Sequence, residues 1–297
     1  MALASKTPFG TWTRVPVRAP FRLDLTVDAL RRLASNAVDV VGDDGTYYRA
    51  VRDAHGVALL SVRAKSRTVE FRATGENPQR WLPLVERILG AQANLRDWYA
   101  RSAKIDWVET LAMQLRGLKP PRYPTLWEAC AHAVVFAQIS IYAGAAIMRR
   151  LVELLGEEVS AQGVRTRIFP EPYRWLRADD VALRAAGLSS NKLRYLRSIA
   201  TALCDGTLDE ERLATQATPE AAQTLVAVPG IGPWSAAVVL LRGLGRLDVF
   251  PLRDSGVARS VASIAGTDVN LEEVLSILGP SRGMLYFHLL LGRLGRH

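Results

Sequence analysis

One carboxylate and one glycine turn stand at a spacing that could do chemistry. Gly230-Ile231-Gly232-Pro233 joins two apolar runs, and Asp254 follows about two dozen residues later, just ahead of the run Ser255 to Ile264. Such a turn holds the first turn of its second helix open, so that backbone N–H groups and the positive end of the helix dipole can meet an anion, and phosphate is the natural one. Glycines at 230 and 232 allow positive φ and close backbone approach, while Pro233 suits the first helical position because no donor is lost there. Asp254 has two readings. An aspartate ahead of a helix is an ordinary N-cap. A capped carboxylate is also rigid, which suits it to stabilise developing positive charge or to orient water. The two roles can coexist. Nearby Asp248 reads as a solvated turn.

Other chemistries lack their residues. Cys130 and Cys204 stand alone, so neither an iron–sulfur nor a zinc ligand set can be built, and no cofactor or metal is expected. Two unpatterned cysteines suit a reducing cytoplasm. Met1 to Val17 has no apolar core of a signal peptide. The stretch Ala131 to Met148 carries no formal charge and approaches bilayer-spanning length, but His132, Gln138, Ser140 and Gly144 within it favour a buried core helix broken by a short loop. The 38 Lys and Arg against 29 Asp and Glu give a formal charge of +9. That balance favours a polyanionic partner without naming one. Lysine occurs only at 6, 65, 104, 119 and 192, never between the glycine turn and Asp254.

The elements that must position these residues change character along the chain. Three stretches, Tyr47 to Arg52, Val57 to Arg63 and Thr68 to Ala73, alternate apolar and polar residues between Gly45, Gly56 and Gly75, and read as a small antiparallel sheet. Helical runs over Val27 to Ala37 and Arg80 to Leu89 flank it. The proline-rich Lys119 to Pro124 reads as a linker. Beyond it nearly every run is helical, with Thr125 as the N-cap of Leu126 to Ala137. The expected organisation is an N-terminal α+β domain, residues 1–118, and a mainly helical domain, residues 119–297, with a helix–hairpin–helix at about 219–244.

Four motifs give the chain a family likeness: Pro229-Gly230-Ile231-Gly232-Pro233-Trp234-Ser235-Ala236, then Val249-Phe250 followed by Asp254, and the shorter matches Ala137-Gln138-Ile139-Ser140 and Gly187-Leu188-Ser189-Ser190-Asn191-Lys192. With them the chain resembles the helix–hairpin–helix DNA glycosylase superfamily, in particular its 3-methyladenine DNA glycosylase II type, over residues 125–297. The resemblance implies a carboxylate, Asp254, that supports cleavage of an N-glycosidic bond through an oxocarbenium-like state. It implies phosphate contacts from Gly230, Ile231, Gly232 and Pro233. Gln138 and Ile139 would sit at the loop that fills the gap left by an extruded nucleotide; an apolar residue there could equally be core. Lys192 would meet a phosphate or a helix terminus.

The base pocket implied by the likeness comprises Trp234, Val238, Ser255 and Tyr286. Trp234 would stack on the base or pack between helices. Val238 and Ser255 stand where tyrosines are frequent in the family, and Leu290 where a tryptophan is expected. The lining is thereby less aromatic than a cationic alkylated base would favour. Arg253 could pair with phosphate or with Asp254. Trp234 also occupies the place of the Schiff-base lysine of the lyase branch. The function expected is that of a monofunctional glycosylase acting as a cytoplasmic monomer on double-stranded DNA with damaged, alkylated bases. The alternatives are a glycosylase for deaminated or oxidised bases and a non-catalytic DNA-binding protein.

Overall fold

The computed structural model describes residues 3–4, 8–66, 68–75 and 77–294. A five-stranded antiparallel sheet, in the order Thr13–Val15, Thr68–Ala73, Gly56–Lys65, Tyr47–Asp53, Val40–Val41, precedes a largely helical remainder. Thr68–Ala73 shows the alternation expected of a strand with one covered face, whereas Ala58 to Val62 is buried at five consecutive positions. Both faces of that central strand are covered. Leu60 and Val62 point into the main core, and Leu59 packs with Val159, Ala161 and Ile168 on the other side. Burial on both faces removes the polar half of the alternation.

The covering element is a second sheet that lies in the part read as helical. Glu158–Ala161 and Val164–Arg167 form a hairpin, with Leu3–Ala4 added in parallel. Its two-residue turn, Gln162-Gly163, has φ of 50° and 83°. Both values are positive, as a turn that follows the twist of paired strands requires.

The first helix also departs from the reading. It runs Leu23–Arg31, not Val27 to Ala37, because Arg32 turns left-handed at φ 63°. Asn36 then accepts from the N–H groups of Val38 and Asp39, a local turn that competes with helix. Lys119 to Pro124 is packed rather than free: Lys119 and Tyr123 are fully buried, and the Lys119 ammonium donates to Ala93 O at 2.7 Å.

Ala131 to Met148 divides as expected between Leu126–Phe136 and Ile141–Leu155. Thr125 and Ser140 cap the two helices by accepting from the N–H groups of Glu128 and Ala143. Among the described residues no single helix is long and apolar enough to cross a membrane. One pair, Leu271–Ser281 and Gly283–Gly292, passes on length and composition but is bent by 116°.

A buried ion triad ties sheet to helix. Arg49 donates to Asp39 and to Glu128, at 2.5 Å each, with all three side chains at most 2% exposed. Among the described residues, the two larger apolar clusters make up most of the interior. One joins the sheet to the helices around the glycine hairpin, and the other gathers Trp98, Val108 and Val257 around the C-terminal helix Gly283–Leu294.

Candidate active site

The glycine turn forms as the sequence implies. Thr218–Val226 and Pro233–Val239 are the two helices, with Pro233 at the start of the second and Gly230 at φ 97°. The turn is closed by Ile231 N–H donating to Val228 O at 3.1 Å, and the Ile231 side chain is 3% exposed. Ile231 therefore anchors the hairpin and has no N–H to spare for phosphate. Among the described residues, the N–H groups of Gly230, Gly232, Trp234 and Ser235 have no backbone partner, as at an open helix start.

Asp254 caps Ser255–Ala265 with one oxygen and holds the hairpin with the other. Oδ1 accepts from the N–H groups of Gly256 at 2.7 Å and Val257 at 3.0 Å, and Oδ2 accepts from the indole N–H of Trp234 at 3.1 Å. Three donors fix the carboxylate's rotamer, and hydrogen bonds to a charged group contribute about 1.5–3 kcal/mol each. The carboxylate opens onto a cavity of about 470 Å³. That volume lies within the range of small-ligand sites.

Most of the expected site residues converge there. Trp234, Ser255 and Tyr286 line the cavity beside Asp254, together with Gly232 and Pro233 of the hairpin. Gln138 and Ile139 line it from the loop between two helices, both exposed, Ile139 at 37%. Leu290 is a wall residue as well.

Two placements correct the reading. Val238, one turn after Trp234, is fully buried in the main core and does not reach the cavity. Only the first turn of the hairpin's second helix borders the cavity; the rest runs inward against Leu126–Phe136. Of the two contacts expected of Lys192, phosphate or a helix terminus, it makes the second, and it does not line the cavity. Its ammonium donates to Val135 O at 2.7 Å and Ala137 O at 2.9 Å, closing the C-terminal end of Leu126–Phe136, and burial lowers its pKa.

Other wall residues escaped the sequence, Phe136 and Arg32 above all. Phe136 lies across the next helix because Gly144 leaves room: a Cβ there would come within 2.5 Å of the ring. Arg32 comes from the distant first helix, and its position depends on the left-handed turn that ends that helix. Of the five non-glycine residues with positive φ among those described, Arg32, Gln138 and Arg253 line this one cavity. Such conformations cost about 1–3 kcal/mol each and cluster at functional sites. Arg253 makes no ion pair with Asp254. No group of three or more His, Cys, Asp or Glu among the described residues is placed to hold a metal ion.

The family profile described as HhH-GPD superfamily base excision DNA repair protein matches residues 131–278. A DNA-3-methyladenine glycosylase of Bacillus subtilis is 28% identical over 231 residues, 75% of this chain and 76% of the relative. Among solved structures, a 3-methyladenine DNA-glycosylase from Archaeoglobus fulgidus superposes with a TM-score of 0.80 at 24% identity, over 97% of this chain and 99% of the other. An 8-oxoguanine glycosylase/lyase from Clostridium acetobutylicum, in complex with double-stranded DNA, reaches 0.76 at 14% identity, over 97% and 99%.

Proposed function

From membership of the HhH-GPD superfamily of base excision DNA repair proteins, to which the chain belongs, we infer a DNA glycosylase that flips a damaged, alkylated base out of duplex DNA and hydrolyses its N-glycosidic bond, with Asp254 as the catalytic carboxylate. The observation that carries this reading is the rigid carboxylate at the mouth of the cavity, held by two backbone donors and one indole. Breaking the bond between C1′ and the base nitrogen builds positive charge on the deoxyribose. A carboxylate that need not reorganise stabilises that charge where it appears. Water then adds to C1′, and an abasic site remains.

The hairpin supports phosphate binding through its open N–H groups rather than through side chains, which fits a contact without sequence preference. Ile139, exposed beside Gln138 at the cavity rim, suits the wedge that fills the gap in the stack. In this reading residues 119–297 supply the carboxylate, the hairpin and the wedge loop. Residues 1–118 supply one wall through Arg32. The enzyme acts as a monomer in the cytoplasm, on the nucleoid.

The fold by itself does not separate hydrolysis from lyase chemistry, because a glycosylase/lyase has the same fold. Trp234 supports hydrolysis: it stands in the hairpin where a Schiff-base amine would have to stand and is engaged with Asp254 instead. A panel of duplexes, each with one lesion, assayed for abasic sites with wild type and Asp254→Asn, tests the reading. Release of an alkylated base by wild type alone is the expected result. No release of any base, or equal release by both proteins, would refute it.

A further inference from the structure

One carboxylate and three guanidiniums line the cavity, and the guanidiniums differ in what they touch. Arg32 is buried against the Phe136 ring, whereas Arg253 and Arg259 are exposed. Neither exposed arginine forms an ion pair, hydrogen bond or ring contact among the described residues. Asp254, next to Arg253 in sequence, is engaged instead by Gly256, Val257 and Trp234. Arg253 also stands at φ 59°, a region that favours glycine, and no contact of its side chain offsets the strain. The segment that carries it is anchored: Phe250 is 6% exposed and Pro251 is buried, while Leu252 and Arg253 stand out into solvent. Arg259 follows Ser255 by one helical turn, so both lie on the face of Ser255–Ala265 that borders the cavity. Ser255 is exposed as well and adds a hydroxyl donor.

We propose that Arg253 and Arg259, with the Ser255 hydroxyl, form a second phosphodiester site, separate from the glycine hairpin, that grips the damaged strand only when a nucleotide has turned into the cavity. The inference rests on the glycosylase reading above. The hairpin borders the same cavity through Gly232 and Pro233, and its open N–H groups can act on any duplex. The arginines stand at the cavity mouth on a different element. A nucleotide turned out of the stack carries its flanking phosphates to that mouth, and a stacked one does not. A contact made only in the extruded state stabilises extrusion itself. Charge-assisted hydrogen bonds from guanidinium to phosphate are of the size needed to offset the unstacking of one base. The chemistry requires the anion too: two bare cations beside a sugar that turns positive would oppose bond breaking, and a phosphate held by them removes that conflict.

The test measures affinity for two duplexes of one sequence, one undamaged and one with a single tetrahydrofuran in place of a nucleoside, which can turn out of the stack and offers no base to excise. Arg253→Gly removes the guanidinium and relieves the backbone; Arg259→Met keeps an apolar stem. Each variant should bind the tetrahydrofuran duplex about tenfold more weakly than wild type, with a slope of log K against log salt shallower by about 1, and the undamaged duplex within about threefold. Arg253→Gly should melt no lower than wild type, which a role in the fold alone would not allow. Replacing the phosphates around the tetrahydrofuran one at a time by uncharged methylphosphonates should, at one position, erase the difference between wild type and Arg253→Gly. Equal losses on both duplexes, no loss on the tetrahydrofuran duplex, or a difference that survives every methylphosphonate overturns the proposal, and 3-methyladenine release from methylated DNA by wild type then leaves the glycosylase reading intact. A wild type that releases no base removes that reading, and this one with it. An Arg253→Gly protein that melts well below wild type assigns Arg253 to the fold and overturns the proposal as well.

Discussion

Trp234 and Asp254 are joined by one hydrogen bond, indole N–H to carboxylate Oδ2 at 3.1 Å, and that bond couples the glycine hairpin to the cavity. Asp254 is bound to its own helix through Oδ1 and to the hairpin through Oδ2. The hairpin therefore cannot shift without straining its bond to the carboxylate, and the carboxylate cannot rotate without losing a donor.

Replacing Trp234 by Phe tests the coupling. The ring remains and the N–H is lost, so one charge-assisted hydrogen bond of about 1.5–3 kcal/mol disappears. If most of it serves to place the carboxylate, the single-turnover rate falls by about 10–100-fold while the affinity for an undamaged duplex stays within about twofold. An unchanged rate would show that Trp234 only fills the wall.

Asp254→Asn keeps shape and cap, since an amide oxygen can accept from Gly256 and Val257 as the carboxylate does. Charge at the sugar is lost. Excision should fall by at least about 10³, with duplex binding nearly intact. Excision within about tenfold of wild type, a barrier change of only about 1.4 kcal/mol, would remove Asp254 from the chemistry.

How much of this was legible follows from what sets each position. The hairpin, Asp254 and the caps at Thr125 and Asp254 were readable because turns and caps are decided by a few neighbouring residues with special φ or side-chain acceptors. The three main strands were readable from the glycines that end them and their apolar content, although only Thr68–Ala73 alternates in burial. The hairpin Glu158–Ala161 and Val164–Arg167 was not, being only four residues per strand and embedded among helical runs, although Gln162-Gly163 resembles the usual two-residue turn. Val238 was misplaced because sequence spacing gives the face of a helix and not how deep the helix runs. Arg32 left no local signal. Its place in the cavity depends on a helix more than 200 residues away in sequence from Asp254, and on a left-handed turn that arginine does not favour.

The two hairpin glycines should behave differently. At Gly230, φ is 97° and a Cβ would come within 2.3 Å of Tyr195 Cβ, so even alanine forces the hairpin off the helix Ser190–Cys204. At Gly232, φ is −85° and a Cβ meets nothing within 4 Å. Gly230→Ala should lower stability by about 1–3 kcal/mol and weaken binding to all duplexes alike. Gly232→Ala should keep the melting temperature and, if the hairpin meets phosphate as proposed, weaken only DNA binding, because the methyl projects into open space beside the hairpin's N–H groups. Duplex affinity across a salt series, beside thermal melts, separates the two. Equal effects of both substitutions on stability would contradict the geometry.

The ion triad gives a stability prediction independent of DNA. Arg49→Met leaves Asp39 and Glu128 buried without their cation, and breaking a buried pair by removing one partner costs about 3–5 kcal/mol. Burial already pushes Glu128 up to about 7, despite the pairing with Arg49 that lowers it. Asp39→Asn combined with Glu128→Gln in the Arg49→Met background should recover part of the loss. A single variant as stable as wild type in urea would mean that the strand and the helix Leu126–Phe136 are held by apolar packing alone.

The distinction between hydrolysis and lyase chemistry rests on amines, and the structure places the one in a family motif. Lys192 is half-buried, with its ammonium donating to Val135 O and Ala137 O behind the loop that carries Gln138 and Ile139. An amine must be free and neutral to attack a sugar, and Lys192 is committed as a donor to two carbonyls. Lys119 is also engaged, with Ala93 O, and Lys6 lies outside the described residues. Borohydride added during turnover on a damaged duplex should trap no protein–DNA adduct, and strand breaks should appear only after alkali or heat. Lys192→Ala should loosen the end of Leu126–Phe136, so that excision drops in proportion to the lost order of the Gln138 loop while the product remains an intact abasic strand. A strong trapped band in wild type that vanished in Lys192→Ala would assign Lys192 to the chemistry and turn the enzyme into a lyase.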